Sequence, residues 1–174
     1  MKDIFKKHRQ DFNEIRRLCL ICHGIDLTTS SLSSKHSRLK ISDETEIVLQ
    51  NMVTSNLLNL AISIRINLYQ KSISQSNKEL LESAWLYFDK KLLTRPATLK
   101  QVCDKIIHAD SVTKSILHHE RSHDSQIAIQ FKGVEQNRKH WTLDIVLQRF
   151  CEDVLCLLDE IESSVKTRPE RQPS

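Results

Sequence analysis

The apolar positions of this chain recur mostly at steps of three and four, the spacing that lines one side of an α-helix. From 3 to 23, Ile4, Phe5, Phe12, Ile15, Leu18, Cys19 and Cys22 form such a stripe with Lys and Arg between them, and Gly24 follows as a stop. Residues 25–41 have no clear period, are rich in serine and carry Lys35, His36, Arg38 and Lys40, which predicts a mobile basic loop. Ser42 or Asp43 then caps a long helix over 42–70. Its Ile47, Val48, Met52, Leu57, Leu60, Ala61, Ile64 and Leu68 make a stripe broader than one exposed helix requires. Ser76 and Glu79 form a capping box ahead of Leu80, Leu81, Ala84, Trp85 and Phe88, so a third helix is expected as far as Leu92, before Pro96 breaks the chain.

Thr98 caps a short helix with Leu99, Val102, Cys103, Ile106 and Ile107 on its buried side. The segment 111–119 reads equally as a strand or as a continuation of that helix. After Glu120 the period changes: QIAIQF (126–131) and KHWTLDI (139–145) alternate apolar and polar around Gly133 and Asn137, which predicts a small β-hairpin. From Val146 the helical period returns through Phe150, Cys151, Val154, Leu157, Leu158 and Ile161 and ends near Lys166. The charged, proline-containing tail 167–174 is expected to be disordered. The fold class expected is mostly α: one helical domain over 1–166, with a β-hairpin before its last long helix.

Composition supports that class, because 174 residues contain only 2 Gly and 3 Pro, the usual punctuation of strand-rich folds. With 26 Lys and Arg against 22 Asp and Glu, the net charge of +4 permits nucleic-acid binding without arguing for it. The N-terminal segment lacks the apolar core of a signal peptide, and no unbroken run reaches the roughly 18 apolar residues of a membrane span. A cytoplasmic protein with no membrane partner is expected. The five cysteines, Cys19, Cys22, Cys103, Cys151 and Cys156, sit among apolar residues, which suits reduced, buried thiols.

Three local patterns bear on chemistry. Cys19-Leu-Ile-Cys22-His23 matches the attachment pattern of c-type haem, but both thiols fall on the apolar side of a predicted helix and no export route is evident, so a structural role is expected. His119-Glu120-Arg121-Ser122-His123 matches the zinc pattern H-E-x-x-H, yet the surrounding residues are polar and a strand follows, which favours a histidine-rich loop. No metal or cofactor is expected. If metal did bind, His118, His119 and His123 would be the ligands. The basic residues Lys35, His36, Arg38, Lys40, Lys132, Arg138, Lys139 and His140 offer phosphate contacts if the fold gathers them, and Trp141 reads as a core residue on a strand.

The hexamer Cys103-Asp104-Lys105-Ile106-Ile107-His108 resembles the signature of the HEPN superfamily, helical proteins of bacterial defence and toxin–antitoxin systems whose motif is Arg, a polar residue, three residues and His. The resemblance implies an up-and-down helical bundle, a homodimer, and in active members metal-independent cleavage of RNA by an arginine and a histidine. Here His108 matches the histidine and Asp104 the polar position, while Cys103 replaces the arginine. A neutral thiol does not bind phosphate as a guanidinium does, so Lys100, Lys105 or Arg95 would have to supply the charge. The expected function is therefore a noncatalytic interaction or RNA-associated module, with Lys100, Lys105, Arg138 and Lys139 as RNA contacts and RNA or a protein as its partner. The alternatives are a ribonuclease using His108 with Asp104 to orient it, and a zinc hydrolase through His119, Glu120 and His123.

Overall fold

A five-stranded antiparallel sheet, not a helical bundle, organises the described residues of the computed structural model, which are 12–32, 42–69, 80–88, 91–117 and 126–166. The elements run α1 (Phe12–Leu32), α2 (Asp43–Tyr69), β1 (Leu80–Phe88), β2 (Lys91–Thr98), α3 (Leu99–Ile107), β3 (Ser111–Leu117), β4 (Gln126–Val134), β5 (His140–Val146) and α4 (Leu147–Lys166). The strand order is β2-β1-β5-β4-β3. The expected all-α bundle is overturned: the fold is mixed α and β, and the predicted hairpin is the middle of a sheet rather than an embellishment.

The segment expected to form a third helix is β1. Its Leu80, Leu81, Ala84, Trp85 and Phe88 satisfy a helical spacing, but Ala84, Leu86 and Phe88 also alternate, and they pair with Ile145, Leu143 and Trp141 of β5. Pairing with β2 on one side and β5 on the other satisfies its backbone groups along most of the strand, and the aromatic side chains suit a pleated surface. The proposed cap at Ser76 and Glu79 lies outside the described residues. Pro96 does not end an element but sits on β2, an edge strand. It lies opposite Trp85 where the register slips between Leu81 and Trp85, and there a missing N–H is tolerated. The ambiguous segment is β3, paired over its whole length with β4.

α1 continues through Gly24, which adopts no positive φ, so it extends into the segment expected to be a loop. The rest of that loop, 33–41, lies outside the described residues, as do 1–11, the histidine-rich 118–125 and the tail 167–174. In α2 the broad stripe divides: Leu57, Leu60, Ala61 and Ile64 are buried, whereas Ile47, Val48 and Met52 are exposed.

The core is one cluster joining the helices to the inner face of the sheet, where Ile129, Phe131, Trp141, Leu143, Ile145, Ala84 and Leu86 point. Each of the larger side chains among these, all but Ala84, contributes about 1.5–3 kcal/mol relative to exposure. Cys19 and Cys22 of α1 lie in sulfur contact with Cys151 of α4, all three buried, so the haem-like pattern is spent on packing these helices together. Contact with both thiols, with burial, pushes the Cys151 thiol far up. His23 reaches Glu152 at 3.3 Å instead, and Arg16 forks between Asp159 at 2.7 Å and Glu162 at 2.9 Å to close the same seam. Cys156, expected among the buried thiols, is exposed.

Candidate nucleic-acid interface

α3 is built as its sequence implies. Thr98 Oγ1 accepts from the Gln101 N–H at 3.3 Å while Gln101 Oε1 accepts from the Thr98 N–H at 3.1 Å, a reciprocal cap that fixes where the helix starts. Its phase buries Leu99, Val102, Cys103 and Ile106. Cys103 is fully enclosed, and burial first, then the Asp104 charge, pushes its thiol up, so it stays neutral.

The three motif positions therefore diverge. Cys103 faces the core, whereas Asp104 Oδ1 lies 2.7 Å from Nε of Arg65 on α2, with side chains 35% and 12% exposed. His108 is exposed at the C-cap, where its N–H donates to the Asp104 carbonyl at 3.1 Å. The carboxylate assigned to orient His108 is thus engaged in tying α2 to α3. Arg65 is a residue that sequence reasoning missed; its only signal is that it is the one cation of α2.

Of the cations expected to contact RNA, Lys105 is consumed internally. Its Nζ lies 2.9 Å from Glu135 Oε1, 4.6 Å from the centre of the Trp141 ring and 5.6 Å from that of Phe88. Lys100 is exposed on the first turn of α3, and Arg95 lies on β2 opposite Leu86. Arg138 and Lys139 are exposed in the β4–β5 turn, which is closed by Glu135 N–H to Lys139 O at 2.9 Å and Arg138 N–H to Glu135 O at 2.8 Å. Arg138 has φ 62°, the left-handed conformation normally left to glycine or asparagine.

That turn adjoins the outer face of the sheet, which sequence reasoning did not find. Strand alternation places Trp85 and Tyr87 of β1 there, opposite Asp144 and Thr142 of β5. Gln130 and Lys132 of β4 lie opposite the same two residues, and beyond them Thr113 and Ser111 of β3. Asp144 is buried and its Oδ1 accepts from Gln130 Nε2 at 2.8 Å. Burial, the Asp144 charge and a hydrogen bond to that carboxylate hold the Tyr87 hydroxyl above its ordinary range. Trp85 and Tyr87 are partly exposed, and Lys132 and His140 extend the face to the basic turn. Ala128 and Val146 are buried at its other end without joining the core cluster.

The face thus offers aromatic planes, hydrogen-bonding edges and a cationic rim along neighbouring strands. Those three features suit a flat, hydrogen-bonding, anionic ligand such as unpaired nucleotides. Among the described residues no group of three or more His, Cys, Asp or Glu is placed to hold a metal ion, and the H-E-x-x-H segment lies outside them. The chain matches no family model, no curated protein and no solved structure.

Proposed function

We propose that this protein is a noncatalytic, cytoplasmic RNA-binding module that lays single-stranded RNA across the outer face of its sheet. The observation that carries this reading is the convergence of Trp85 and Tyr87 with the basic rim of Lys132, Arg138, Lys139 and His140 on one side of the sheet. Bases stack on the aromatic rings, the partly exposed Gln130 and Thr142 side chains meet base edges, and the rim meets phosphate. Arg138 adds a second argument. A cation kept where the backbone favours glycine costs about 1 kcal/mol of stability, the kind of conflict that marks functional positions. The bacterial defence setting rests on the resemblance of α3 alone.

Fluorescence anisotropy with a labelled single-stranded RNA in chelator tests it. Trp85→Ala or Tyr87→Ala should weaken binding about 5- to 150-fold, at about 1–3 kcal/mol per stacked base. Losing the rim charges of Arg138 and Lys139 should flatten the salt dependence by about 1.4 in log–log slope. Arg138→Gly should bind more weakly yet unfold later. Binding unchanged in both aromatic variants, or absent at low salt, would sink the proposal.

A ribonuclease is the second reading, because Arg65 brings a guanidinium beside Asp104, one turn before the exposed His108. RNA cleaved in chelator by the wild type and left intact by His108→Ala would establish it over the noncatalytic one.

A further inference from the structure

α2 is apolar on two opposite sides. One side carries Leu57, Leu60, Ala61 and Ile64 into the core. On the other, Val48, Met52, Ser55, Asn59, Ile62 and Ile66 follow alternating steps of four and three, and at 100° per residue they lie within about 40° of one line. All six are exposed, the apolar four at 55%, 43%, 39% and 50%. A single folded helix has no use for this second stripe.

The stripe is symmetric about the level of Leu57. Ser55 and Asn59 lie two positions either side of it, Met52 and Ile62 five, and Val48 and Ile66 nine. A twofold axis perpendicular to the helix at that level sets an antiparallel copy in register, with Val48 against the partner subunit's Ile66 and Met52 against the partner subunit's Ile62. Ser55 and Asn59 then meet across the centre. Apolar meets apolar, and the polar residues meet each other, which is what an isologous interface requires and what fixes one register over its neighbours. With Ile47 and Leu58 together on one flank, the surface offers on the order of 500 Å² of apolar area per protomer, more than half of the roughly 800 Å² a stable interface buries on each side.

We propose that α2 pairs antiparallel with α2 of a second copy of this chain, making the protein a twofold symmetric dimer. The segment Asp43–Asn67 is also long and apolar enough to cross a membrane, with 22% of its most apolar window buried. The Ser55 hydroxyl already donates to the Asn51 carbonyl at 2.8 Å within the helix, but lipid would leave the Asn59 amide facing hydrocarbon at mid-helix, whereas a second copy offers it polar partners.

Two measurements decide it. In sedimentation at concentrations up to about 100 µM the protein should be a dimer, and Ile62→Glu, at an exposed position that leaves the fold intact by circular dichroism, should weaken dimerisation about 100-fold or more. In a Cys156→Ser background, Met52→Cys mixed with Ile62→Cys should form a disulfide-linked dimer on oxidation. Neither alone should, because like positions lie about 15 Å apart along the axis, beyond disulfide reach. A monomer throughout that range, cross-linking by Met52→Cys alone, or recovery of the chain on lipid vesicles without dimer in water would each overturn the proposal.

Discussion

Gly133 lies opposite Trp141 in the β4–β5 ladder, and its lack of a side chain is what lets the indole lie flat against the strand. A Cβ built there falls 2.3 Å from Cζ2 and 2.7 Å from Cε2 of that ring, and 3.1 Å from the His108 carbonyl oxygen. Carbon atoms sit at about 3.5–4.0 Å in ordinary contact, so the ring would have to withdraw by more than about 1 Å. It is buried, and Lys105, anchored on Glu135, sits 4.6 Å from the ring centre, so retreat also disturbs that ion pair. Overpacking of this kind costs about 3 kcal/mol, and the lower chain entropy of alanine returns about 0.5–1 kcal/mol. Gly133→Ala is therefore expected to lose about 2–2.5 kcal/mol, read as a lower urea midpoint at unchanged slope. Trp141→Leu alone should cost about 3 kcal/mol, but in its background Gly133→Ala should cost under about 1 kcal/mol, because the clashing ring is gone. Additivity of the two within about 0.5 kcal/mol would refute the reasoning.

Two further outcomes concern the carboxylates of Asp104 and Asp144. Arg65→Ala should cost about 2 kcal/mol in urea unfolding by leaving Asp104 without its α2 partner, and Arg65→Lys should recover only part of it, since a lysine cannot reproduce the guanidinium geometry. Tyr87 holds its proton more tightly folded than unfolded, so its contribution is present below the ordinary tyrosine range near pH 10 and is lost as pH rises through the higher folded value. In a Tyr69→Phe background, ultraviolet titration should place tyrosinate formation above that of free tyrosine. Asp144→Asn should bring it part of the way down, and a midpoint unmoved by that change would remove Asp144 as a cause.

Legibility in the sequence followed how local each determinant was. α3 and α4 were readable because the Thr98–Gln101 box and the spacing of Phe150, Cys151, Val154 and Leu158 are local signals that packing confirms. β1 was not, because LLESAWLYF fits both periods over nine residues, and what decides between them is β5, some sixty positions away. The helical period conceals the outer face as well: Trp85 and Tyr87 become neighbours on one side only when the segment is extended. Pro96 looks like a chain break in sequence because only an edge strand excuses a missing donor, and edge position is a property of the whole sheet. Arg65 was invisible since its partner lies on another helix.

The β1–β5 seam has a consequence for how the molecule assembles. β1 with β2, and β3 with β4 and β5, each form between near neighbours in the chain, whereas Ala84 finds Ile145 only after the intervening residues exist and have folded back. Closing that long loop comes before the contacts that reward it, so the seam is the natural bottleneck in folding. Until it closes, β1 and β5 are open strand edges rich in aromatic and branched side chains, and during synthesis the first hairpin waits for the last strand with its ladder half made.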